Sequence, residues 1–131
     1  MKKLLIFFIP LFTTLMFSSY SFGKWTKEVT SENDITVYID YDRVNEKNGF
    51  IYYRVLYDRI TPNRLGSYSV MEVSQGDCVV YKFKILVQHQ HKKNMGEGSY
   101  QTIKGSDNWV YPKTDTLYGY VLDKVCNRSI Q

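Results

Sequence analysis

The sequence predicts an α+β domain: one antiparallel β-sheet of about six strands in meander order, with a C-terminal α-helix packed on it and tethered by a disulfide. Three observations predict it. Apolar and polar residues alternate with a period of two through most of the region 34–88, the mark of half-buried strands. Leu117, Tyr118, Val121, Leu122 and Val125 then recur at spacings of one, three and four, which puts them on one stripe of a helix. Two cysteines, Cys78 and Cys126, sit one in each region, behind an export signal.

That signal is residues 1–23. Lys2 and Lys3 give a charged start, Leu4 to Phe17 is almost wholly apolar, and Ser21 and Gly23 form a small-residue pattern before a cut ahead of Lys24. The apolar run is shorter than the roughly 20 residues a membrane span needs, and Pro10 interrupts it. No cysteine lies near the cut, so neither a lipid anchor nor any other stable membrane anchor is expected. The expected address is exported: periplasmic, cell-surface or secreted. Removing 23 of the 131 residues leaves 108, enough for one domain over 24–131. With Lys2 and Lys3 gone, 15 of the 17 Lys and Arg face 13 Asp and Glu, a net charge near +2. That is far below a nucleic-acid footprint, and no nucleic-acid partner is expected. In an oxidising compartment Cys78 and Cys126 most often bridge, the alternative being two free thiols. Closing so long a loop contributes about 4 kcal/mol in the chain-entropy account.

Taken in order, Lys24 to Thr30 reads as a short edge-like strand anchored by Trp25. Asp34 to Tyr41 alternates Ile35, Val37, Ile39 against Thr36, Tyr38, Asp40. A polar connection ends in Asn48-Gly49, a favoured turn pair. Phe50 to Arg59 alternates Ile51, Tyr53, Val55, Tyr57 against Tyr52, Arg54, Leu56, Asp58 and forms a hairpin with the preceding strand. Gly66 to Ser74 gives a fourth strand, and Gln75-Gly76-Asp77 turns the chain into a fifth, Gly76 to Gln88. In the fifth, the odd row is Val79, Tyr81, Phe83, Ile85 and Val87, all apolar, while Cys78, Lys82 and Lys84 fall on the even row. A helix on the odd face would therefore miss Cys78 unless a bulge near Gly76–Cys78 turned it over, the reading favoured, or the helix covered part of the other face. His89 to Gly98 is a polar, flexible loop, followed by a weak strand at Ser99 to Ile103 and another around Trp109. Thr114 is the expected helix N-cap, and Gly119 weakens the helix by about 1 kcal/mol relative to alanine.

Chemistry is sparse. His89 and His91 share a face of an extended chain and could bind a metal, but no third ligand stands near and lysines surround them, so a solvated loop is favoured. Asp58 and Glu72 are more readily partners of Arg54 and Lys82 across a sheet face than acid–base groups. No nucleophile motif, phosphate-cradling glycine loop or CxxC is present, so neither catalysis nor a cofactor is expected. Eleven of the 12 tyrosines survive removal of the signal, and several lie beside charges, a composition suited to an interface as well as to strand surfaces. The candidate binding surface comprises Tyr38, Tyr52, Arg54, Lys82 and Lys84, with the basic stretch His89, His91, Lys92 and Lys93.

The order and spacing of scattered residues add a resemblance. Trp25, Tyr38–Asp40 with Arg43, the strand Tyr52–Asp58, Ser69, Asp77-Cys78, Met95-Gly96 with Gly98, Trp109-Val110 and Val125-Cys126 together resemble the surface-adhesin protein E family of small exported bacterial proteins. The resemblance implies a single curved antiparallel sheet with a disulfide-linked C-terminal helix. It also implies binding to host extracellular-matrix proteins, and dimerisation. The competing reading is an accessory protein whose partner is another envelope component; a small secreted hydrolase is a third.

Overall fold

A computed structural model describes residues 24–130, so the expected signal at 1–23 lies outside the described residues. The chain runs β1 (Thr26–Thr30), β2 (Ile35–Ile39), β3 (Asn45–Lys47), β4 (Phe50–Arg59), β5 (Ser69–Asp77), β6 (Lys82–His91), β7 (Tyr100–Lys104) and α1 (Leu117–Ile130). Among the described residues these seven strands make one open antiparallel sheet in the order β1-β2-β4-β5-β6-β7, with β3 also paired to β4. Sequential strands are neighbours, as in a meander, except that β2 and β3 lie one after the other along the same edge of β4. β3, the strand beyond the six expected, is short and has a local cause. Buried Asp40 accepts from Asp42 N at 3.2 Å and starts a 3-10 turn at Tyr41–Arg43. The chain then regains the edge of β4 as β3, and Asn48 and Gly49, at φ 55° and 85°, close the β3–β4 hairpin. Two successive left-handed residues are what a two-residue hairpin turn demands.

Directly opposed strand residues share a face, so the register sorts the sheet. Ile39, Val55, Glu72, Gln88 and Ile103 form one transverse row, and Ile51, Gly76 and Phe83 another. This face carries α1, whose Val121, Leu122 and Val125 complete a core with Val37, Ile39, Ile51, Tyr53, Val55 and Phe83. The expected helical stripe is the buried one. Gly76 is strand, not turn, because Leu122 crosses directly over it: a Cβ there would lie 2.9 Å from Leu122 Cδ1. Gly119 serves the same end, since a Cβ would lie 2.1 Å from the Lys113 carbonyl oxygen. Its cost in helix propensity is offset by a close approach that alanine could not make.

Cys78 and Cys126 are bonded, with Cα atoms 5.6 Å apart. The expected route between them was different. Residues 76–88 are not one strand: β5 ends at Asp77, and Cys78 to Tyr81 are the β5–β6 turn. Asp77 Oδ1 accepts from Val79 N and Val80 N, both at 3.0 Å, while Asp77 O accepts from Tyr81 N at 2.8 Å. The turn lifts Cys78 out of the pleat toward the helix end, so neither a bulge at Gly76–Cys78 nor a second helix-covered face is needed. Val79, read as core, is 93% exposed at the tip. Replacing Asp77 with alanine removes the side-chain acceptor of both bonds and should lower stability by about 1–2 kcal/mol in urea unfolding, at unchanged denaturant slope.

A bulge does occur, further along. Val73 opposes Val87 but Ser74 opposes Ile85, so Leu86 is the extra residue. The apolar odd row is thereby split. Phe83 and Ile85 point toward α1, whereas past Leu86 the even residues Gln88 and Gln90 do. Three other expectations shift. β6 continues to His91, so the polar loop is shorter than His89 to Gly98. Around Trp109 there is a bridge rather than a strand, with Phe83 N and Val110 N each bonded to the other's carbonyl at 2.9 and 2.8 Å. The helix N-cap is Thr116, not Thr114: its Oγ1 accepts from Gly119 N at 3.1 Å.

Candidate functional site

The face of the sheet opposite α1 collects the residues with interface chemistry. Tyr38, Leu56, Met71 and His89 form one row across it. Tyr52, Gln75 and Lys84 form a second, Arg54, Val73 and Val87 a third, and Asp58, Ser69, His91 and Tyr100 a fourth. Lys82, two residues before Lys84, falls on the same side. Seven of the nine expected binding residues thus share one face. Lys92 and Lys93 leave the end of β6 and are exposed.

A cap divides this face. The 3-10 turn Asn94–Gly96 lies over β4 and β5, held by Asp58 Oδ1, which accepts from Met95 N at 2.7 Å and Asn94 Nδ2 at 3.1 Å. Gly96 N donates to Ser69 Oγ at 2.8 Å, and Ser69 Oγ donates to Lys93 O at 2.6 Å. This closure buries Leu56 and Met71 on the side without a helix. The segment expected to be flexible is therefore a built element, with Met95, Gly96 and Gly98 in left-handed backbone geometry. Asp58 serves it rather than Arg54. Glu72 likewise pairs with no cation among the described residues; it lies buried on the α1 face beneath Tyr118 and Gln88.

Around the cap stand three groups of aromatic and cationic side chains. Trp109, brought in by the Phe83–Val110 bridge, lies 5.6 Å from the Phe50 ring centroid. Lys82 Nζ and Lys84 Nζ are 4.5 and 4.7 Å from its ring centroid, within cation–π range. Next, Arg43, Tyr52 and Arg54 line a cleft of about 350 Å³. Arg43 Nε pairs with buried Asp40 at 3.5 Å, whereas Arg54 makes no ion pair with any described residue. The third group is aromatic: Tyr100 stacks on His89 at 4.6 Å and lies 4.9 Å from His91. Desolvation by burial holds the His91 pKa below the usual histidine value, aided by neighbouring His89 and opposed by backbone contacts at Gly98 and Glu97. His91 is then neutral at pH 7. The two imidazole centroids are 6.2 Å apart, and no group of three or more His, Cys, Asp or Glu among the described residues is placed to hold a metal ion.

Trp109, Phe50, Arg43 and Tyr100 were not among the expected residues. Trp109 offered a signal, an aromatic among polar residues, but nothing local said which strand it would cover. Among the described residues no helix is long and apolar enough to cross a membrane.

A family model described as surface-adhesin protein E matches residues 25–127. No curated protein matches the chain. Among solved structures, crystal form II of Haemophilus influenzae protein E superposes with a TM-score of 0.65 at 15% identity, covering 86% of this chain and 94% of that one. The selenomethionine form gives 0.59 at 16% identity over 78% and 86%. A structure from non-typeable Haemophilus influenzae gives 0.55 at 12% identity over 86% and 83%. At such identities the likeness is one of fold.

Proposed function

The chain belongs to the surface-adhesin protein E family, and on that premise we propose that it is an exported, non-enzymatic binding module that recognises a host extracellular-matrix protein through the helix-free face of its sheet. The observation that carries the reading is the grouping of partly exposed aromatic rings with cations that form no ion pair among the described residues. Lys82 and Lys84 flank Trp109, and Arg54 opens onto a cleft beside Tyr52. On this face the acids within its rows are spent on local structure: Asp58 holds the cap, and Asp77, opposite Lys82, accepts from Val79 N and Val80 N in the turn. Such a surface suits an acidic segment bearing apolar side chains: the rings supply buried area, and the cations steer approach and set register.

Lys82→Glu with Lys84→Glu tests the face. Solid-phase binding of the mature domain to matrix proteins such as vitronectin and laminin should weaken about tenfold or more, and the wild-type affinity should fall with salt. Lys92→Glu with Lys93→Glu should have a smaller effect, since those side chains stand beyond the strand. Saturable binding indifferent to Lys82 and Lys84 would remove the face from the proposal. An absence of binding by the wild type, together with protection from protease on intact cells, would favour an envelope accessory protein instead.

A further inference from the structure

A second site lies on the other face, at the N-terminal end of α1. There a cavity of about 290 Å³ opens between the helix and the strands, near the lower end of the roughly 300–1,000 Å³ typical of ligand sites. Ile35, Val70, Leu117 and Tyr57 give it apolar walls, and Glu72, 3% exposed, contributes a carboxyl.

Its polar groups are connected in one direction. Asn63 Nδ2 donates to Gln90 Oε1 at 2.9 Å, and Gln90 Nε2 donates to Gln88 Oε1 at 3.3 Å. Gln88 Nε2 then donates to Glu72 Oε2 at 2.7 Å, where Tyr118 Oη also donates at 3.3 Å. The amide orientations are mutually enforced, because reversing Gln88 would set its carbonyl oxygen against the carboxylate. Both donors end on Oε2. Among the described residues no donor reaches Oε1, and no cation pairs with the carboxyl. A carboxyl oxygen open to a cavity with apolar walls is complemented by a compact cation on an apolar stem.

We propose that this cavity binds an alkylammonium group, its head on Glu72 Oε1 and its methylene stem along Ile35, Val70, Leu117 and Tyr57. A lysine side chain of a partner and a free alkylamine share that chemistry. The site is independent of the docking face, which lies across the sheet. The other groups around Glu72 do not supply the missing charge. Tyr53 and Tyr57 from β4 and Tyr118 from α1 are held protonated by burial, β6 presents amides, and β2 presents Ile35. Arg59 lines the cavity and donates from Nε to Thr61 O at 3.1 Å, and among the described residues it makes no ion pair with Glu72. Because burial pushes the Glu72 pKa up to about 7, a bound ammonium must displace a proton. Affinity should therefore rise about tenfold from pH 6 to pH 8, as the ionised fraction does. The amine stays charged across that range.

The test is a titration of the mature domain, followed by NMR of the Gln88 and Gln90 side-chain amides, with n-butylammonium and the neutral n-butanol. Saturable shifts with butylammonium, absent with butanol and tightening about tenfold between pH 6 and 8, are expected. Glu72→Gln and the cavity-filling Val70→Phe should each weaken binding tenfold or more. If a variant fails to fold, the pH series on the native protein decides alone. A lysine-bearing peptide that binds tighter than butylammonium identifies a protein lysine as the source; equal affinities identify a free amine. Equal shifts with butanol, pH-independent affinity or no saturation at any pH overturns the proposal.

Discussion

Removing the Cys78–Cys126 bond, by reduction or by replacing both cysteines with alanine, is expected to destabilise the domain by about 4 kcal/mol. The bond closes a loop with a sequence separation of 48, and the chain-entropy account gives that magnitude for such a closure. Against a typical net stability of about 5–15 kcal/mol, a quarter or more would go. The loss should not be uniform. α1 has 14 residues, near the roughly 12–15 below which helices are marginal alone in water. It is held by its stripe of Val121, Leu122 and Val125 and, at its far end, by Cys126. Arg128, whose guanidinium lies 4.6 Å from the Tyr41 ring centroid, adds a weaker clasp at that end. With the bond gone, trypsin should cut first at Lys124 and Arg128, while β4 and β5 at the centre of the sheet stay protected. The double alanine variant avoids free thiols, and its urea midpoint gives the free energy. A change below about 1 kcal/mol would refute the loop-closure account, and two alkylatable sulfurs in denatured, unreduced protein would refute the bond itself.

That bond was legible because composition and address sufficed to expect it, and the helix stripe and β4 were legible for an equally local reason. Val121, Leu122 and Val125 bury one face, and Ile51, Tyr53 and Val55 another, so spacing alone reports burial. What spacing could not report was set by contacts distant in the chain. Gly76 reads as a turn residue and is one in many settings. Here it is strand because Leu122 needs the space of a missing Cβ. Moving that turn three residues on placed Cys78 in a loop and dissolved the apparent conflict of faces. The Leu86 bulge then changed which β6 residues meet the helix, a switch that an unbroken period of two conceals.

The binding face was half visible for the same reason. Alternation set Tyr38, Tyr52, Arg54, Lys82 and Lys84 on strands, and the antiparallel register brought them to one side. Trp109 joined them through a two-bond bridge to Phe83 that leaves no periodic trace. Glu72 is the sharper case. On a strand it looks like a surface acid awaiting a basic neighbour, yet it sits in an apolar row between Val55 and Gln88. Only the placement of α1 makes it a buried group.

Glu72 should consequently make the domain less stable as pH rises. Burial, only partly opposed by hydrogen bonds from Gln88 and Tyr118, lifts its pKa from 4.5 to about 7. In the unfolded chain it loses its proton near 4.5, so between there and pH 7 the folded state binds the extra proton. Stability from this group is then unchanged below about pH 4.5, falls through the window, and levels off above pH 7, a total of about 3 kcal/mol. Buried His91 acts in the opposite sense: its depressed pKa adds stability as pH rises toward the ordinary histidine value, and so masks part of the slope. Glu72→Gln separates the two. The amide oxygen still accepts from Gln88 and Tyr118, while the titration disappears and His91 is untouched. The variant should match the parent near pH 4.5 and exceed it by about 1–3 kcal/mol at pH 8, read as the difference between urea midpoints across the series. A variant that is equally stable at both ends, or that loses stability at pH 8, would show that the carboxylate is compensated where it lies, and would remove the unpaired charge on which the amine site depends.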